Sequence, residues 1–294
     1  MDRYILFCVS LCLEYPEVYV YRDFTGKLVK SLLIEANPRL KKLFEDDRIS
    51  KPKPIHITTL FKKVSGKRIA LYPKIIPTKE AKPRKEVMQR LRKVGVVLKG
   101  GEEYFFFIGC KSQVAPEVVR ALGSLSSIRV NGLKFTPLMV EPIEELVPRD
   151  EERNWDGNVT SIKVVFETPV LIRDPYLGGF RRFLPLSGWL FSVNLYDLFG
   201  SVKKTRTLSR KISNVLRETY SALHSVKLVW YLYEGHVYPA LIGYIKYFIY
   251  EEALKRTPEV IDILPLLLKH ARIMGIGTSR AAGFGHVNIS VNNS

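Results

Sequence analysis

Gly275-Ile276-Gly277-Thr278-Ser279-Arg280-Ala281-Ala282-Gly283-Phe284-Gly285 is the stretch whose reading decides the rest of this chain. Two Gly-apolar-Gly brackets enclose a short loop with one arginine at its centre. Glycine reaches backbone angles that other residues avoid and lets a second backbone approach closely. Two readings follow. In one, the segment is a glycine-rich turn between a helix and a strand. In the other, the N–H groups around Gly275, Gly277, Ser279, Gly283 and Gly285 converge on an anion, and Arg280 pairs a phosphate. The spacing excludes a dinucleotide fingerprint, which needs a third glycine where Arg280 stands, and a Walker loop, which needs Gly-Lys-Ser/Thr.

Upstream of the loop, Ile263–Met274 reads as a helix. Pro265 lies in its first turn, Lys269, His270 and Arg272 lie in its last, and Gly275 stops it. Downstream, Val287, Ile289 and Val291 alternate with polar residues in a final strand. The same signals order the first half. Tyr4–Leu13 reads as a buried strand. Thr25 caps a helix in which Leu28, Val29, Leu32, Leu33 and Ala36 recur at helical spacing, and Asn37-Pro38 ends it. Ile55–Lys62 is a strand, Ser65-Gly66 a turn, and Arg68–Ile76 the next strand. Pro77–Arg92 is basic and proline-punctuated, part helix or mobile. Glu103–Cys110 is an aromatic strand, Pro116–Leu122 a helix, and Ile128–Val140 a strand pair around Asn131-Gly132. This is the element order of a ferredoxin-like βαββαβ domain, assigned to residues 1–146.

Glu141–Asp156 holds seven acidic residues and two prolines, and marks an acidic linker at 147–157. Residues 158–294 then repeat the order. Ile162–Phe166 is a strand, Pro185–Phe199 and Leu208–Leu223 are helical, and Lys227–Tyr233 and Tyr238–Tyr250 are strands joined at Glu234-Gly235-His236. The fold class is therefore α+β, with tandem ferredoxin-like domains and a basic cleft between them.

The 294 residues carry 46 Lys+Arg against 29 Asp+Glu, a net charge of +17. That excess points to a polyanionic partner, nucleic acid above all. It is local. Arg48 to Lys93 holds fifteen basic residues and two acidic ones, and Ser201 to Arg217 six basic and none acidic. Three cysteines, Cys8, Cys12 and Cys110, have no metal or disulfide spacing and fit a reduced cytoplasm. The apolar run Tyr4–Leu13 is short and lacks a small-residue cleavage site, so no signal peptide is expected. No stretch is long and apolar enough for a membrane span.

The glycine loop before the last strand resembles the hallmark of the CRISPR-associated protein six family, endoribonucleases of the RAMP superfamily that process precursor CRISPR RNA. Further likeness lies in Val165-Phe166-Glu167-Thr168-Pro169-Val170-Leu171 followed by the helix at Leu186–Phe199, and in Lys53-Pro54-Ile55 opening the second strand. The resemblance implies a prokaryotic, archaeal-type, cytoplasmic protein with no metal or other cofactor. Its partner is CRISPR repeat RNA within precursor CRISPR RNA. The reaction implied is cleavage within the repeat to 2′,3′-cyclic phosphate and 5′-hydroxyl ends. The alternative is a catalytically inactive RAMP subunit that holds guide RNA in a CRISPR effector complex. A homodimer is left open, and a general RNA-binding protein is a third reading.

Family members place catalytic groups on the first helix and just before the second strand. Here the first helix offers Lys27 and Lys30, one turn apart, and Lys53 matches the family lysine. The family histidine is missing, because Phe44-Glu45-Asp46-Asp47-Arg48 contains none. The chain therefore resembles members that cleave with clustered basic residues, which stabilise the phosphate charge rather than act as a strong base. Among the histidines, His236 in the C-terminal hairpin turn is the leading candidate. His56 is read as cleft-facing or structural, and His270 and His286 as serving a helix end or strand edge. The expected RNA contacts are the loop with Arg280, then Lys203, Lys204, Arg206, Arg210 and Lys211.

Overall fold

The computed structural model describes residues 2–46, 52–75, 84–148, 159–176, 181–219 and 222–293. Most of the acidic segment 147–157, and 77–83 of the basic proline-punctuated segment, lie outside the described residues. The first unit is built from β1 (Tyr4–Tyr15), α1 (Thr25–Ala36), β2 (Leu60–Val64), β3 (Glu103–Lys111), α2 (Ala115–Gly123) and β4 (Leu133–Leu146). Its sheet runs β2-β3-β1-β4, antiparallel throughout.

Period-two alternation sorts its side chains between two cores. Val9, Leu11, Tyr104 and Phe106 face α1 and α2, where they pack with Leu28, Leu32, Val118 and Leu122. Tyr4, Leu6, Phe105 and Phe107 face the other way and join the core of the second unit. All four aromatics of Tyr104–Phe107 are thus structural. The strand expected over Ile55–Lys62 is broken at Thr58-Thr59. Thr58 there takes over the ladder: its N–H donates to Phe107 O at 3.1 Å, and its hydroxyl accepts from the Phe107 N–H at 2.9 Å.

The second unit comprises β5 (Val159–Val170), α3 (Ser192–Phe199), α4 (Val202–Val215), β6 (Val226–Tyr233), β7 (His236–Ile249), α5 (Glu259–Met274) and β8 (Val287–Asn293). Its sheet order, β8-β5-β7-β6, repeats that of the first. Both are the strand order of a ferredoxin-like fold. The helix expected over Leu208–Leu223 starts earlier and stops sooner. The Ser201 hydroxyl accepts from the Lys204 N–H and caps it, and Thr205, Leu208, Ile212 and Val215 form its buried stripe. After Val215 the chain becomes an edge strand, Leu216–Glu218, paired with β7.

The two units meet across α5. A Cβ on Gly109 of β3 would lie 1.9 Å from the Ile273 carbonyl, so only glycine permits this approach. Lys74–Ile75, from the first half of the chain, adds a short strand to β6 of the second.

Candidate nucleic-acid interface

The glycine loop leaves α5 and is held inside the protein from both sides. Gly275, Gly277, Gly283 and Gly285 all have left-handed φ, between 66° and 103°. None has ready room for a side chain, least of all Gly277 and Gly285: a Cβ there would lie 2.4 Å from Leu171 O and 2.0 Å from Ile276 O. Five of the loop amides are already taken. Those of Ile276, Thr278 and Gly285 donate to Gly285 O, Leu171 O and Pro169 O at 2.8, 2.8 and 2.9 Å. Those of Ala282 and Gly283 close the turn at Arg280–Ala282, which Ser279 enters in a left-handed conformation. The segment is built as a turn, and of the five amides expected on an anion those of Gly283 and Gly285 are taken within it.

Arg280 is the larger correction. Its side chain is 3% exposed, and Nη2 lies 2.9 Å from Oδ2 of Asp197, itself 1% exposed. Asp197 also takes Nζ of Lys111 at 2.8 Å and faces Nε2 of His270 at 3.4 Å. Burial opposes ionisation of Asp197, but His270, Arg280 and Lys111 outweigh it and hold the carboxyl well below its usual range. The guanidinium expected to pair a phosphate is committed to an internal carboxylate, because an unpaired charge at this depth is strongly unfavourable.

The backbone of Arg280 is held as well. Its carbonyl accepts from Nδ1 of His56 at 3.2 Å, and Nε2 of His56 lies 3.3 Å from Nδ1 of His286. Burial pushes the His56 imidazole down to about 3, with the Arg280 charge adding to the effect. The ring is neutral, so the proton on Nδ1 leaves Nε2 to accept from His286. Burial likewise lowers His286 and His270. Asn194 donates to Nδ1 of His270 at 3.0 Å, which leaves the ring proton on Nε2, facing Asp197. These histidines belong to a buried network that joins the two units, not to a strand edge or helix end.

That network carries a pH dependence. The ordinary imidazole value is about 6.5, and all three buried rings lie below it. Below about pH 6.5 the unfolded chain binds protons that the folded one refuses. Stability is therefore full above that pH and is lost as pH falls towards about 3. Thermal melts from about pH 7.5 to about pH 4.5 are expected to show a falling Tm, with a shallower slope for His56→Gln. Equal slopes for the two proteins would remove His56 from the effect.

Beside the loop lies a pocket of about 530 Å³. Gly277 to Ala282 form one wall, Lys30 of α1 and Lys53 a second, and Arg173 and Arg206 a third, with Tyr233 at the end of β6. The walls are fixed to one another, because a Cβ on Gly26 of α1 would lie 2.6 Å from Ala282 O. Nζ of Lys30 lies 3.3 Å from Glu45, a half-exposed partner in a pair that solvent weakens. Lys53 donates to the Asp46 carbonyl at 2.5 Å, and Arg206 to those of Pro175 and Tyr176 at 3.1 and 3.4 Å. Among the described residues Asp174 is the one acidic residue in the lining, and Arg182 holds it through two hydrogen bonds of 2.7 and 3.0 Å. The pocket therefore offers cations to an anion. Burial pushes the Tyr233 phenol up to about 12, so at neutral pH it carries its proton and is a donor.

The remaining expected residues lie elsewhere. Lys27 turns to Asp23 at 3.4 Å and Glu234 at 3.9 Å, which ties α1 to the hairpin turn. His236 is exposed and does not line the pocket, whereas Tyr233, its partner across the turn, does. Lys203, Lys204, Arg210 and Lys211 lie on α4 but do not line the pocket. Lys204 covers the Phe199 ring, Arg210 the Tyr176 ring, and Lys211 pairs with Glu259. Sequence reasoning missed Tyr233 and Arg173. The hairpin signal at Glu234-Gly235 pointed to the region of Tyr233, and Arg173 had no signal. Among the described residues, no group of three or more His, Cys, Asp or Glu is placed to hold a metal ion, and no helix is long and apolar enough to cross a membrane.

Two family models match the sequence: the Cas6 N-terminal domain over residues 17–137, and the CRISPR-associated endoribonuclease Cas6 over residues 164–287. The chain belongs to the Cas6 family. Solved Cas6 structures share its architecture from end to end. A Cas6 product complex superposes with a TM-score of 0.63 at 14% identity, covering 99% of this chain and 100% of that one. Thermus thermophilus Cas6 gives 0.56 at 15% identity, with 99% of each chain covered. A Cas6-related protein from Pyrococcus furiosus gives 0.53 at 10%, with 98% of each covered. At these identities the likeness speaks for the tandem ferredoxin-like fold alone. No curated protein matches the sequence.

Proposed function

We propose that this Cas6-family chain cuts precursor CRISPR RNA within each repeat, in the pocket beside the glycine loop and without a metal ion. The observation that carries the reading is that Lys30 and Lys53 line one cavity with Arg173, Arg206 and Tyr233. The substrate's 2′-hydroxyl attacks the adjacent phosphorus, and the bond to the 5′-oxygen breaks. The 2′-proton leaves to solvent and the 5′-oxygen gains one, giving a 2′,3′-cyclic phosphate and a 5′-hydroxyl. Lys30 and Lys53 offset the charge that builds on the phosphate oxygens, and each such group is worth about 10²–10³ in rate. Arg173 and Arg206 hold the flanking phosphates. Tyr233 donates its O–H to the departing oxygen. Among the described residues no histidine lines the pocket, so it works by charge and alignment rather than by a strong base.

The absent histidine is also the one observation that favours a silent RNA-binding subunit. One experiment separates the two readings. Repeat RNA and the same sequence built with 2′-deoxyribose are each incubated with the protein. The proposal expects both to bind, with affinity falling steeply as salt rises, and only the ribose form to be cut. Cleavage of the deoxyribose form would overturn 2′-hydroxyl attack. Binding of both with cleavage of neither would establish the silent subunit.

A further inference from the structure

One face of the C-terminal sheet is covered by α3, α4 and α5, which pack on Ile162, Val164, Ile245 and Tyr247. The opposite face is covered at Ala240 and exposed further along β7, from Tyr244 to Phe248. On β7, Tyr244, Lys246 and Phe248 take successive positions on that face, and Tyr250 follows at the strand's end. Tyr244 is 42% exposed and Phe248 52%.

Each of the three rings carries a cation. Nζ of Lys163 lies 4.6 Å from the Tyr244 centroid, Nζ of Lys246 5.7 Å from that of Phe248, and the Arg217 guanidinium 3.8 Å from that of Tyr250. The register explains the grouping: Lys163 lies opposite Lys246, and Arg217 opposite Phe248. Their neighbours on this face, Ser161, Val165, Asn288 and Ser290, are uncharged. Glu167, further along β5, is tied to Arg68 at 2.6 Å, and Glu252 accepts from the Tyr250 hydroxyl at 2.7 Å. Among the described residues, no carboxylate forms an ion pair with Lys163, Lys246 or Arg217.

The exposed rings keep apolar faces in water, which is unfavourable, and the cations beside them have no carboxylate partner among the described residues. They suit a ligand that has π-faces and negative charges in alternation. Single-stranded nucleic acid is that ligand: bases stack on aromatic rings whatever their sequence, and cations take the phosphates between them. Tyr244 and Phe248 are about 13 Å apart along the strand, room for more than one base.

We propose that this exposed stretch is a second RNA-binding surface, taking a single-stranded segment of about two or three nucleotides outside the cleavage pocket. None of its residues lines that pocket. The inference rests on the reading of the chain as an RNA-binding protein.

The test measures the affinity of the full-length protein, by fluorescence anisotropy, for labelled oligouridylate and for labelled repeat RNA. The double variant Tyr244→Ala/Phe248→Ala removes only exposed rings, and its Tm is checked against the parent. Its affinity for oligouridylate is expected to fall about tenfold or more. Lys246→Gln is expected to lower the slope of log affinity against log salt by about one. Parent and double variant binding oligouridylate equally well would overturn the inference, as would a parent that binds repeat RNA but not oligouridylate. Loss of self-association in the variant at unchanged RNA affinity would make the face a protein contact and overturn it too. A parent that binds neither RNA would overturn the functional reading along with it.

Discussion

Replacing Lys30 and Lys53 together with alanine is expected to slow cleavage of repeat RNA by about 10²-fold or more, while affinity falls only a few-fold. The two lysines come from different elements, α1 and the approach to the second strand, and converge on one pocket wall. Their internal contacts are few, and beyond one ion pair and one carbonyl Lys30 lies 5.9 Å from the Phe44 ring centroid. Lys30 shares a solvent-screened pair with Glu45, and Lys53 donates to a single carbonyl. Their loss therefore acts on the reaction rather than on folding. Ground-state binding is spread over other cations of the pocket, which is why affinity survives. Lys53→Ala alone should cost at least about tenfold. Single-turnover rates at saturating protein check this, and an unchanged rate in the double variant would remove both lysines from the site.

Asp197→Ala is expected to destabilise the protein by about 3–5 kcal/mol, the usual consequence of removing one partner of a buried ion pair. Arg280 has essentially no access to water, and Lys111 little, their side chains being 3% and 14% exposed. Without the carboxylate Arg280 keeps a charge and loses its partner, while Lys111 keeps only the half-exposed Asp2, at 3.0 Å. Lys111 belongs to the first unit, and Asp197, His270 and Arg280 to the second, so the loss falls on the contact between them. Arg280→Met in the Asp197→Ala background is expected to restore part of the lost stability, because it removes the stranded charge. Urea denaturation measures both. A loss below about 1 kcal/mol in the single variant would show that the cluster does not hold the units together.

Signals that are local in sequence carried over into the structure. The stripe Leu28, Val29, Leu32 and Leu33 made α1, Asn37-Pro38 ended it, and Asn131-Gly132 and Glu234-Gly235 made turns at left-handed φ. The glycine loop was legible as a backbone requirement, since all four glycines sit where a side chain is strained. What the loop does was not legible. Whether Arg280 faces solvent or protein depends on Asp197 and Lys111, which only the packing of the two units brings to it. His56 looked the same on a strand whether it faced a cleft or a core, and the answer came from the Arg280 carbonyl and His286. Tyr233 gained its place from the hairpin's position against α1. Lys30 and Lys53 were named from the family resemblance, and the structure adds that they line the same cavity.

The most direct measurement incubates the protein with its repeat RNA in excess EDTA and identifies the ends of any fragments. The account predicts one discrete cut, with a 2′,3′-cyclic phosphate on the upstream fragment and a 5′-hydroxyl on the downstream one. Bound but intact RNA, or cleavage that appears only when magnesium is restored, would contradict it.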